Sequence, residues 1–143
     1  MTYFSDLSPY AYGHYSHPGV VHVGWLDAIH PYSKGTVDAR LIEKMKLLAS
    51  NPVELYRGKH SCDLCAEPSD LVKTLLPNGM VIDPNCSWAR WRDQRSTNGE
   101  FRVTREGIVF AAPVLIVHYI EAHNYLPPPQ FLQAVEEATN DTP

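Results

Sequence analysis

Glu100-Phe101-Arg102-Val103-Thr104-Arg105-Glu106-Gly107-Ile108-Val109-Phe110-Ala111 is the stretch that decides the fold class. Two runs of strand-favouring residues bracket Thr104-Arg105-Glu106-Gly107, a turn signal, and the whole reads as a β-hairpin. Ala112-Pro113 follows at once, with Pro113 suited to the first turn of a helix. Leu115, Ile116, Tyr119 and Ile120 then recur at helical spacing. A hairpin running into an amphipathic helix places a small antiparallel sheet under helices, an α+β arrangement.

Working outward from that stretch adds the rest of the frame. Pro127-Pro128-Pro129 separates the helix from a last one over 130–138, carrying Phe131, Leu132 and Val135. Upstream, Val37, Leu41, Met45 and Leu48, with Ile42 beside them, predict a helix over 37–49. Thr36 is its expected N-cap, and Asn51-Pro52 ends it. Residues 20–26 read as a strand with Val21, Val23 and Trp25 on one face, and 53–57 as a second short one. Pro68-Ser69-Asp70 opens a short helix over Leu71, Val72, Leu75 and Leu76, Asn78-Gly79 marks a turn, and 88–95 forms one or two helical turns. Residues 1–19 form an ordered arm rich in tyrosine, and 139–143 a frayed tail. The expected architecture is one domain, a small antiparallel sheet packed by three helices near 37–49, 113–124 and 129–138, stabilised by one zinc site.

The zinc expectation comes from His60-Ser61-Cys62-Asp63-Leu64-Cys65 and, farther on, His118-Tyr119-Ile120-Glu121-Ala122-His123. A CxxC turn offers two thiolates to one ion, and a helix following a hairpin supplies imidazoles. Cys62 and Cys65 are the first expected ligands and His118 the next, with His123 and His60 competing for the fourth place. His118 and His123 stand five apart, roughly 140° around a regular helix. They reach one ion only where the helix loosens near Ala122. Four protein ligands make a closed, structural site, and a water in the fourth place an open, catalytic one. No HExxH occurs, nor HxE followed by PCxxC. A redox reading of the CxxC lacks the strand and helix of a βαβ context. The enzyme reading that remains is a zinc hydrolase with Cys62, Cys65 and His118 as ligands and Glu121 as base.

The bulk numbers narrow the field. The chain has 143 residues, 44% hydrophobic and 20% charged, with 12 prolines and 3 cysteines, enough to bury a core. A formal charge of −4 disfavours a polyanion binder. No apolar run approaches the ~18 residues of a membrane span, and residues 1–12 lack the basic and apolar regions of a signal peptide. An odd cysteine count with one CxxC fits a reducing, cytosolic compartment.

One basic cluster is interleaved with aromatics: Trp88-Ala89-Arg90-Trp91-Arg92-Asp93-Gln94-Arg95. Trp88, Trp91, Arg92 and Arg95 fit a protein-binding patch, since Trp and Arg anchor interfaces. With Arg90, Arg102 and Arg105 they also fit a nucleic-acid surface, and the bland reading is core tryptophans with solvated arginines. His22, Asp27 and His30 invite an acid–base reading, against which a structural strand end is simpler.

Several stretches taken together resemble a group of small uncharacterised bacterial cytosolic proteins that share this layout over nearly the full length. They are Tyr3-Phe4-Ser5-Asp6-Leu7, Val23-Gly24-Trp25-Leu26-Asp27, Gly58-Lys59 leading into the Cys pair, Asn98-Gly99-Glu100, and Ala112-Pro113-Val114-Leu115-Ile116-Val117-His118-Tyr119-Ile120 running on to His123, Tyr125 and Pro127-Pro128. The resemblance implies that the Cys and His positions belong to one design, with Cys86 outside it. It implies no activity. The resulting expectation is a zinc-stabilised, non-enzymatic interaction module, immunity- or antitoxin-like partner binding being one concrete form.

Overall fold

The computed structural model describes residues 3–12, 15–53 and 60–138. The hairpin forms as β5 (Glu100–Arg105) and β6 (Ile108–Pro113), paired in register from Arg105↔Ile108 to Glu100↔Pro113. Its loop is shorter than the four residues expected. Glu106 and Gly107 alone turn the chain, both with positive φ (53° and 81°), as a two-residue hairpin loop requires. Pro113 ends the strand rather than starting the next helix. The ladder between β6 and its other neighbour stops at Ala111, so the missing N–H of Pro113 costs no pairing on that side.

That other neighbour corrects the expectation of an antiparallel sheet. β1 (Pro9–Tyr12) and β2 (Tyr15–His22) form an antiparallel pair, but β2 lies parallel to β6, giving the order β1-β2-β6-β5. Parallel neighbours need a long crossover, and the chain between them supplies one containing helices. β2 lies earlier than the strand read at 20–26, because Gly24 takes φ +79° and turns the chain away. A Cβ there would meet Ile116 Cδ1 and Cγ1 at 2.7 Å, so the close approach demands glycine. Val23 and Trp25 are nonetheless fully buried just beyond the strand end.

Four helices occur among the described residues: α1 (Ala39–Ala49), α2 (Ser87–Asp93), α3 (Ile116–His123) and α4 (Pro129–Glu137). Asp38, not Thr36, caps α1, its carboxylate accepting from the Arg40 amide at 2.8 Å. α1 packs on α3, α4 and β5, burying Met45, and α4 lies on β5 through Phe131, Ala134 and Val135. Leu115, Ile116, Tyr119 and Ile120 of the α3 region are buried, as their spacing requires. Each such large apolar side chain contributes about 2–3 kcal/mol on burial. No helix among the described residues is long and apolar enough to cross a membrane.

A second sheet of two short strands, β3 (His60–Ser61) and β4 (Ser96–Thr97), holds the Cys loop against α2. The helix expected over Leu71, Val72, Leu75 and Leu76 does not form. Instead Leu75 bridges Ile82 across a turn at Asn78-Gly79, with the Leu76 amide donating to Val81 O at 2.7 Å. Pro77 biases Leu76 to extended backbone, and so short a helix cannot offset its own nucleation. Of the 53–57 strand, Val53 bridges Glu100, while residues 54–57 lie outside the described residues. The side chains of Tyr12 and Tyr15 and the tail at 139–143 lie outside them as well.

Candidate metal centre

The Cys loop begins where β3 ends. The Cys62 amide donates to Arg95 O at 2.8 Å and the Ser61 and Ser96 hydroxyls meet at 2.8 Å, which pins the loop beside β4. The amides of Leu64 and Cys65 then turn back toward Cys62 and donate to its sulfur. Backbone donors around a thiolate favour its charged form. Burial works the other way and dominates, pushing the Cys62 thiol up to about 11.

α3 supplies the partners, and its end explains how residues five apart meet. The amides of Asn124 and Tyr125 both donate to Tyr119 O, so the last turn is wider than an α-turn. Asn124 closes it in the left-handed region (φ 55°). The loop at 32–35 clamps this ending: the Tyr32 hydroxyl donates to His123 O at 3.0 Å, and the Gly35 amide to Asn124 O at 3.0 Å. The imidazoles of His118 and His123 consequently face each other, with ring centroids 5.1 Å apart.

Cys62, Cys65, His118 and His123 converge so that one ligand atom from each lies within 4.8 Å of all the others. Cys65 Sγ is 3.2 Å from His118 Nε2 and 3.4 Å from His123 Nε2, and Cys62 Sγ is 3.4 Å from His123 Nε2. Tetrahedral zinc with Zn–S near 2.3 Å and Zn–N near 2.0 Å sets S···N edges of about 3.5 Å. The three S···N distances therefore match edges of such a site, and the four residues lie close enough to hold a metal ion. Burial holds both histidines below their ordinary range, and the neighbouring His123 and Arg95 lower His118 further. They are thus neutral near pH 7, the form that binds a metal.

Other residues singled out from the sequence lie elsewhere. His60 is outside the tetrad: it sits edge-on to Trp25, with ring centroids 5.5 Å apart. Cys86 precedes α2 and is also outside. Glu121 is exposed and pairs with Lys46 of α1 at 3.3 Å. His22 is fully buried, stacked between Phe4 (3.8 Å) and Tyr10 (4.8 Å), while Asp27 and His30 pair at the surface.

The basic segment forms α2 and its exit, and none of the α2 side chains is fully buried. Trp88 and Trp91 are half-buried and face cations: Lys73 Nζ and the Arg92 guanidinium lie 4.3 and 5.5 Å from the Trp88 ring, and that of Arg95 lies 4.6 Å from Trp91. They are therefore not core tryptophans. Arg102 and Arg105 do not extend this surface as free cations. Arg102 donates to the buried Glu100 at 2.9 Å, and Arg105 pairs with Glu137 and Glu106. Sequence reading missed Glu100, fully buried and also bonded by the Tyr10 hydroxyl at 2.8 Å. Arg102 is its neighbour on β5, but the Tyr10 hydroxyl comes from β1, which nothing in the local sequence marks.

The family "Domain of unknown function (DUF7919)" matches residues 2–136. No curated protein and no solved structure matches the chain.

Proposed function

The chain belongs to the DUF7919 family, and from that premise we propose that it is a zinc-braced, non-enzymatic protein-interaction module of the bacterial cytosol. The observation that carries this reading is the link between the tetrad and α2. The Cys62 amide is bonded to Arg95 O, so an ion held by Cys62, Cys65, His118 and His123 braces the segment bearing Trp88, Trp91, Arg92 and Arg95. Two thiolates and two imidazoles suit zinc and leave no place for water. Such an ion supplies cross-linking and charge neutralisation. A hydrolytic role has less support, since Glu121 is engaged with Lys46. Nucleic-acid binding has less support too, because Arg102 and Arg105 are engaged by carboxylates.

An exposed apolar lobe beside α2 supports a protein partner. Val72, Leu75, Met80 and Val81 are 59%, 52%, 87% and 51% exposed, although they come from one short stretch. Apolar exposure rimmed by Trp and Arg is how interaction sites look. An immunity- or antitoxin-like role is one form such binding takes.

Native against denaturing mass spectrometry tests the metal half. One zinc per chain is expected, lost with Cys62→Ser, Cys65→Ser, His118→Ala and His123→Ala, and retained with His60→Ala. Affinity purification tests the other half, comparing wild type with Trp88→Ala/Met80→Ser. A partner held by both alike, or none at all, sinks the interaction reading.

A further inference from the structure

Tyr32, whose hydroxyl bonds His123 O, also lines a second arrangement of chemistry-bearing side chains. A cavity of about 170 Å³ is lined by Tyr3, Phe4, Asp6, Leu26, Pro31 and Tyr32, among others. Sites for drug-sized ligands start at about 300 Å³, so this one admits a head group and not a whole molecule.

Among the described residues that line it, Asp6 is the one with a charged side chain. Asp6 Oδ1 accepts from the Gly24 amide at 3.0 Å and from the Tyr125 hydroxyl at 2.9 Å, and the same hydroxyl lies 2.8 Å from Oδ2. A carboxylate has about four lone-pair positions, so Oδ2 keeps room for another donor. Among the described residues no lysine, arginine or histidine pairs with Asp6. Burial accordingly raises its pKa, as happens to a carboxylate lacking a compensating charge. Tyr3, Phe4 and Tyr32 add aromatic walls beside Leu26, Pro31 and Ser33. Faces of such rings attract cations, and Tyr32 already has Lys34 Nζ at 5.4 Å from its ring.

We infer that this cavity binds the head of a small organic cation, a primary or methylated ammonium, with Asp6 as counter-charge and the rings of Tyr3, Phe4 and Tyr32 as walls. Calcium or magnesium would need about six oxygen ligands, and a single carboxylate cannot supply them. A guanidinium binds best across both carboxylate oxygens as a fork, and the Tyr125 hydroxyl already lies against both, with the Gly24 amide on Oδ1. An ammonium needs one acceptor and tolerates apolar surroundings through the rings.

The test is a titration of the zinc-loaded full chain with tetramethylammonium chloride and with ethylammonium chloride, followed by amide NMR, sodium chloride serving as the ionic-strength control. Saturating shifts at Tyr3, Asp6, Gly24 and Tyr32 with either organic cation, absent with sodium, support the assignment. Asp6→Asn keeps an acceptor for Gly24 and Tyr125 and is expected to weaken binding at least about tenfold at unchanged metal content. Tyr3→Leu, at a half-buried position, removes one wall and decides the matter if Asp6→Asn fails to fold. Sodium giving the same shifts, neither cation saturating, or full affinity in the folded variants would overturn the inference.

Discussion

Replacing Gly24 by alanine tests how tightly β2 and the metal-bearing helix are fitted together. Gly24 has φ +79°, and an added Cβ would lie 2.7 Å from Ile116 Cδ1 and Cγ1 and 3.3 Å from its Cβ. An alanine in left-handed backbone costs about 1–2 kcal/mol. Overpacking against a fully buried side chain adds about 1–3 kcal/mol. Ile116 is 0% exposed and opens α3, so it has no solvent to retreat into and relief must come from moving the helix. The expected loss is about 3 kcal/mol in urea denaturation of the metal-free protein, a large part of a small domain's stability. Because α3 carries His118 and His123, metal affinity is expected to fall severalfold as well. A cycle with Ile116→Ala separates the two terms. That change removes the atoms at 2.7 Å, so the pair should be less destabilised than the sum by about 2 kcal/mol. A loss below about 1 kcal/mol, or strict additivity in the cycle, would refute the reasoning.

Three further outcomes follow from the site and its supports. Burial raises the Cys62 thiol to about 11, so binding a metal near neutrality must displace its proton; affinity should rise at least about tenfold per pH unit between roughly pH 6 and 8. Competition with a chromophoric chelator measures this, and a pH-independent affinity contradicts it. Burial lowers His22 from 6.5 to about 4, so the unfolded chain takes up a proton first. The stability His22 contributes is whole above pH 6.5 and is lost as pH falls through about 4, by about 3 kcal/mol in all. His22→Phe should flatten that part of the curve relative to wild type, and parallel curves would count against it. Asn124→Val places a β-branched residue at φ 55° and should cost about 2 kcal/mol and weaken metal binding, whereas Asn124→Gly should cost almost nothing. Equal melting temperatures for the two variants would dispose of the argument.

Much of this molecule is legible along the chain because its signals are local. The hairpin over 100–111 reads from strand propensity and a turn, and the buried faces of α1, α3 and α4 read from spacing that any helix imposes. Cys62 and Cys65 are close in space whatever the fold, since a two-residue gap cannot separate them. The failures also have local causes that propensity does not weigh. Pro77 and the Asn78-Gly79 turn outvoted an apolar spacing at 71–76, and Asp38 took the cap that Thr36 could equally have filled.

What the chain alone could not decide depends on groups brought together from afar. The choice between His60 and His123 turned on which way each ring faces. Pairing with Thr97 and the edge of Trp25 draws His60 off, while a widened last turn and the Tyr32 clamp bring His123 in. The parallel placement of β2 beside β6 is likewise invisible to a period-two pattern, which reports the face of a strand and not its neighbour. Local sequence thus determined the hairpin, the buried faces of α1, α3 and α4, and three of the four candidate ligands, Cys62, Cys65 and His118. Only tertiary packing determined the fourth ligand, His123, the bond from Tyr10 to the buried Glu100 and the Asp6 cavity, because each is a meeting of residues whose separation in sequence carries no record of their separation in space.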